Sequence, residues 1–180
     1  MSSLVALSVS IGVLGAVATI LYLNVGLLIW AGFLAWACYF HAGANDAALK
    51  NTIVCNAFGS FCAWVAALLI LSVPLADSLT LPVWAGTVVG LTVLGMCLAA
   101  HIPALSAIPA SVYGYAATFA YLLQTQGALT TDNLTAASLS ANAFPLVVVS
   151  MALGAVFGMV SAKMGAALTA KAPAVARARV

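Results

Sequence analysis

Charge is what this sequence lacks. Of 180 residues, five are Lys or Arg, three are Asp, and glutamate is absent. A soluble domain carries about a quarter of its residues as charges. This chain could not clothe a water-exposed surface, which argues against a soluble enzyme or binding domain. A net charge of +2 leaves no basic footprint for nucleic acid, so no such partner is expected. The apolar runs also lack acids: Asp46, Asp77 and Asp132 all fall between them. That weakens proton- or sodium-coupled transport, which commonly uses buried carboxylates. Cysteine is present four times, at positions 38, 55, 62 and 97, but never as a C-x-x-C pair. Neither a zinc site nor a redox motif follows, and buried thiols acting as small apolar groups are the plain reading. Cys38, His41 and Asp46 sketch a metal site only generically. With no acid–base pair, phosphate loop or haem signature, the chain is not expected to be an enzyme. No catalytic residue, metal or cofactor is assigned.

What is present is hydrophobic sequence, 66% of the chain. A helix crossing the hydrocarbon core needs about 20 mostly apolar residues. Polar and Pro/Gly interruptions divide the chain into six such segments: Leu4–Leu23, Gly26–His41, Lys50–Ser72, Val83–Ala100, Ala104–Leu123 and Ala143–Ala162. Continuous runs argue against a β-barrel. The expected fold is an all-α membrane protein of six transmembrane helices. Residues 1–162 form one domain, and 163–180 form a short basic cytoplasmic tail. Positive charge marks the cytoplasmic side. Six spans with both termini inside put Lys50, Lys163, Lys171, Arg177 and Arg179 all on that face. Tyr22, Trp84 and Tyr121 then fall at the outer interface and Tyr39 at the inner one, where amphipathic rings are favoured. The first span carries no preceding Lys or Arg and reads as a span rather than a signal peptide.

The two halves echo each other. Val13-Leu14-Gly15 is followed at the fourth span by Val93-Leu94-Gly95. The stretch from Ala31 to Phe40 aligns without gaps to that from Ala110 to Phe119, and Asn56-Ala57-Phe58 is matched by Asn142-Ala143-Phe144. Three helices per half implies a 3+3 inverted repeat, and interrupted spans at matching positions point to a binding site or pore. The second span is short, and its counterpart carries Pro109, where a kink or local unwinding is expected. Candidates for a pore or solute path are Trp36, Asn56, Pro109, Tyr113, Tyr115 and Thr118. Tyr113 and Tyr115 project about 200° apart on a helix, so at most one faces a central path. Trp36 reads first as packing and Asn56 first as an interhelical hydrogen bond, with path lining as the alternative for each. His41 and His101, at inner helix ends, are wetted termini or a pH-sensitive gate, since imidazole titrates near neutrality. Gly86-x-x-x-Gly90 and Gly154-x-x-x-Gly158 have the spacing for helix packing within the bundle or between protomers.

The run from Gly26 to Ala35, with Tyr39-Phe40, resembles the YcdZ-like family of small bacterial inner-membrane proteins of unknown function. So do Met96-Cys97, Ile108-Pro109, Gly114 with Ala116 to Ala120, and the run from Ala152 to Gly158. The loop before the sixth span looks longer here. The resemblance implies a fold and a bacterial inner membrane, and no substrate. A fainter similarity, through Gly43, Asn51-Thr52 and Phe58 to Phe61, runs to the acetate/succinate channel family. Its Asn-Pro-Ala-Pro-type signature is absent, so only its six-helix, pore-per-protomer architecture serves as an analogy. The expected function is a channel or facilitator for a small uncharged or weakly acidic solute, in a homo-oligomer surrounded by the lipid bilayer. The alternative is a non-transporting membrane partner or scaffold of another complex.

Overall fold

The computed structural model describes residues 1–73 and 75–170. Those residues contain α-helices, two short 3₁₀ turns and no strand. The helices are α1 (Ser3–Val25), α2 (Ile29–His41), α3 (Asp46–Ser72), α4 (Ala76–Leu79), α5 (Leu81–Leu98), α6 (Ile108–Gln124), α7 (Thr131–Thr135) and α8 (Ala143–Ala170). Local sequence sets the cuts. Gly26 closes α1 in the left-handed conformation, φ 72°, which a residue without a Cβ adopts at no steric cost. Asn45 starts α3 by accepting a hydrogen bond from the Ala48 amide at 2.8 Å, the usual service of an N-cap amide. Between α5 and α6 the chain runs through the 3₁₀ turns Ala99–His101 and Pro103–Leu105.

The bundle is built around α2, α3, α6 and α8. In α3 and α6, small residues let the two backbones touch. A Cβ on Gly59 would run into the Ser111 carbonyl, and one on Gly114 into the Asn56 carbonyl. In the second pair, a Cβ on Gly154 of α8 would run into the Gly32 backbone of α2. Such close approach is how helices associate in lipid, where apolar burial gives no drive. Polar side chains then tie the elements together. Ser10 of α1 donates to the Ser161 carbonyl at 2.7 Å, and Tyr22 to the Ser150 carbonyl at 2.6 Å. The Ser150 hydroxyl accepts from the Leu28 amide at 3.0 Å.

Helices α1 and α5 lie outside, α1 on α8 and α5 on α3. Only Ala6, Ser10, Ala18 and Tyr22 of α1, and Val88 and Met96 of α5, are buried. Their other faces are apolar and open, with Leu4 74% and Leu91 63% exposed. Four helical stretches are long and apolar enough to cross a membrane: Ser3–Val25, Asp46–Ser72, Leu81–His101 and Ala143–Thr169. This is an all-helical membrane-type protein. Helices α2 and α6, with 13 and 17 residues, reach only about 20 and 26 Å. The six-segment expectation therefore yields four full-length crossings and two short helices at its second and fifth positions.

Other expectations shift. Pro109 does not kink a continuous span; it sits in the first turn of α6, where its missing N–H costs nothing. The irregular chain lies before it. Asn142 precedes α8 and its Oδ1 accepts from the Phe144 amide at 3.0 Å, whereas Asn56 is in mid-helix. That echo is not a structural equivalence. Tyr22, Tyr39 and Tyr121 are buried among helices. Helix α8 runs past Ala162 to Ala170, so Lys163 belongs to the helix. The expected tail cations Lys171, Arg177 and Arg179 lie outside the described residues.

The crossings generate a prediction. Gly59→Ala and Gly114→Ala each drive a methyl into backbone, which cannot swing aside. Each should cost about 1–3 kcal/mol or more of bundle stability, read as a lowered unfolding midpoint in detergent. Gly86→Ala and Gly90→Ala, whose added methyl meets nothing within 4 Å, should leave the midpoint unchanged.

Candidate functional site

The α3–α6 crossing forces polar groups into the core. Thr52, Asn56 and Ser60 of α3, Ser111 and Thr118 of α6, and Cys38 of α2 are each at most 2% exposed. Most find partners. Ser60 and Thr118 both donate to the Gly114 carbonyl, at 3.2 and 3.0 Å. The Thr52 hydroxyl lies 3.7 Å from the Cys38 sulfur, and the Cys38 thiol 3.8 Å from Asn56 Oδ1. Two groups do not: among the described residues, Asn56 Nδ2 and Ser111 Oγ have no hydrogen-bond partner. A buried polar group left unpaired costs about 1–3 kcal/mol. Both fall at one crossing, the amide on α3 and the hydroxyl on α6. The remaining orphan, Trp84 Nε1, is on α5, packed against the apolar cluster of Ala63, Ala66 and Val88.

A cavity of about 230 Å³ leads toward this crossing from the end of the bundle where α3 begins. It is lined by Cys38, His41 and Ala42 of α2, Asn51 of α3, and Ala107, Pro109 and Ala110 at the start of α6. Cys38 stands at its inner wall and touches Asn56 behind it. The mouth exists because α2 ends at His41 and α6 begins only at Ile108. A neighbouring apolar groove of about 550 Å³ shares His41 and Pro109, and adds Leu34, Val112 and Tyr113.

The structure brings some candidates together and scatters others. Asn56 and Thr118 lie in the polar column, and Pro109 at its mouth. Tyr113 faces His41 edge-on at 6.3 Å between ring centroids. Tyr115 turns the other way, its hydroxyl 2.9 Å from Thr92 Oγ1 on α5, in keeping with the angular separation on the helix. Trp36 is remote from the column: it donates to Ser161 Oγ at 3.0 Å and stacks on Phe33 and Phe157. His101, exposed in a 3₁₀ turn, lines neither the mouth nor the groove. Gly154 and Gly158 pack inside the bundle, against the Gly32 backbone and the Tyr39 and Trp36 rings. Among the described residues no three His, Cys, Asp or Glu side chains gather where a metal ion could bind.

Ser111 is the functional residue that sequence reading passed over. A signal was available: Asn56-x-x-Gly59 and Ser111-x-x-Gly114 both place a polar residue one turn before a contact glycine. On a helix these share a face.

No curated protein and no solved structure matches this chain. The likenesses to the YcdZ-like and acetate/succinate channel families therefore have no named relative behind them. A family described as "Protein of unknown function (DUF1097)" matches residues 8–166. The match covers α2, α3, α5 and α6 whole and all but the outer ends of α1 and α8, and the chain belongs to this uncharacterised family.

Proposed function

We propose that this protein is a six-crossing channel or facilitator of the bacterial inner membrane for a small uncharged or weakly acidic solute. The observation that carries the reading is the unpartnered pair, Asn56 Nδ2 and Ser111 Oγ, behind a cavity lined in part by Cys38, His41 and Asn51. An amide N–H and a hydroxyl offer hydrogen bonds without charge, which suits a small oxygen-bearing solute. The column carries no carboxylate or ammonium group, so an ion-coupled cycle has nothing to work with there. Trp36 has no part in this path, and Tyr115 packs beside it.

Several features support six crossings. The long helices alternate in direction: α1 meets α8 head to tail through Ser10–Ser161 and Tyr22–Ser150, while α2 and α8 run parallel through Leu28–Ser150 and Trp36–Ser161. The short α2 and α6 are flanked by full-length α3 and α8, and non-helical backbone at membrane depth is tolerated where it lines a cavity. An inverted repeat of α1–α2–α3 with α5–α6–α8 also fits. Gly59 against Ser111 has its counterpart in Gly154 against Gly32, and Gly32 pairs with Ser111 in the gap-free alignment of the two halves. The cations then sort to the cytoplasmic face with both termini. His41 sits at the rim as the candidate pH-sensitive element, and the open faces of α1 and α5 serve lipid or protomer contacts.

Liposomes carrying the pure protein should swell faster than empty ones with small uncharged or weakly acidic solutes. Asn56→Leu should slow that swelling by about tenfold, the scale of one lost buried hydrogen bond. No acceleration across a broad solute panel, together with co-purification of a defined membrane complex, would establish the scaffold reading instead. Topology is checked separately. Reporter fusions at Met1 and after Ala170 should both report the cytoplasm, and a split result would remove one crossing.

A further inference from the structure

At the far end of the bundle, the chain covers the positions that correspond to those lining the open mouth. If Gly32 corresponds to Ser111 and Gly59 to Gly154, the cavity-lining residues have counterparts at the opposite end. Cys38, Ala42, Asn51, Ala107 and Ala110 map onto Ala117, Tyr121, Leu146, Leu28 and Ala31. These do lie together: Ala31, Ala117, Tyr121 and Leu146 are buried in one cluster, with Leu28 packed against it. The remaining members of that cluster include Leu134 and Ala128, which come from the loop between α6 and α8.

That loop is folded to deliver them. Gly127 turns in the left-handed conformation at φ 76°, and Asn133 Nδ2 donates to its carbonyl at 2.8 Å. Thr130 caps α7 by accepting from the Asn133 amide at 3.3 Å. Asn142 Nδ2 holds the returning chain at the Ala136 carbonyl, 3.0 Å away. Leu134 ends fully buried while Thr131, Asp132 and Thr135 around it are exposed. Apart from the bonds of Asn142 to the first turn of α8, one side-chain hydrogen bond among the described residues fastens it to the transmembrane helices. Trp64 of α3 donates from Nε1 to the Leu134 carbonyl at 2.8 Å, its ring steadied by Phe61 and Phe144. The chemistry of plug and seat matches. The open mouth has Cys38, Asn51 and His41, whereas the corresponding far positions are Ala117, Leu146 and Ala120, an apolar seat for an apolar plug.

We infer that the segment from Gly127 to Asn142 is a lid on a second solute mouth, with Leu134 as its plug and the Trp64–Leu134 hydrogen bond as its latch. The inference rests on the solute-path reading and names how that path is closed. A solute entering at Cys38 reaches Asn56 and Ser111, and leaves only when Leu134 withdraws from between Tyr121 and Leu146.

The test uses the full chain in detergent micelles and a membrane-impermeant maleimide, with the parent protein run alongside as background for its own thiols. Leu134→Cys should react far more slowly than Ser138→Cys, an exposed position of the same loop. Adding Trp64→Phe, which keeps the ring and removes the N–H, should speed labelling of Leu134→Cys by about fivefold, the scale of one net hydrogen bond. Deuterium uptake at 127–142 in the Trp64→Phe single variant should rise while the α3 and α8 amides stay protected, and this readout needs no cysteine variant to fold. Equal labelling at 134 and 138, or no response to Trp64→Phe in either readout, overturns the lid. Solute entry into liposomes separates the two ideas. Faster entry with Trp64→Phe supports both. Loop opening without any solute entry keeps the lid and defeats the path, and entry at an unchanged rate defeats the lid and keeps the path.

Discussion

Everything in this bundle depends on two backbones touching. Gly59 and Gly114 bring α3 and α6 together with no side chain between them. At that distance the neighbours one turn away, Asn56 and Ser111, have no exit to solvent and become a buried amide and a buried hydroxyl. In water such a contact would be one of many; in lipid, where burying apolar surface drives little, close packing and polar contacts must hold helices together. The same glycines that permit the crossing therefore create the polar column. A larger residue would relieve the buried amide and hydroxyl, and remove the column with them.

The helical fold was legible from composition because the constraint is one-sided: with eight charges and long apolar runs, only helices satisfy the backbone in lipid. The gap-free match of Ala31–Phe40 to Ala110–Phe119 pointed to related helices, and Gly32 and Ser111 occupy comparable places in their crossings. The match of Asn56 to Asn142 misled. An amide is equally at home inside a helix, bonding a neighbour, and just before one, bonding its first turn, so residue identity alone does not fix the register. Pro109 misled in a related way. A proline in an apolar run signals a break, but the sequence does not say on which side the helix lies. Here the helix follows it, and the opening at the mouth comes from the unwound chain before. Ser111 was hidden because serine is common in small-residue faces, and only the partner helix makes it conspicuous. Trp36 illustrates the converse, a conspicuous residue whose indole N–H is fully occupied by Ser161.

The two ends of the bundle differ in chemistry more than in shape. One end offers a thiol, an amide and an imidazole around an open cavity. The corresponding positions at the other end are alanine and leucine, occupied by Leu134. Under the proposed inverted repeat the two ends would be equivalent in backbone, and the difference between them would be carried by side chains and by the loop before α8. Polarity is thus written locally, onto a scaffold whose crossings remain alike.

The shortness of α2 has a consequence for any solute. A bilayer presents about 30 Å of hydrocarbon, but a helix of 13 residues covers only about 20 Å. The helical wall that α2 offers the column is therefore shorter than the membrane is thick. On the proposed path, a solute would have a shorter dehydrated stretch to cross than the bilayer presents, so its passage would be quickened by geometry before any hydrogen bond is made.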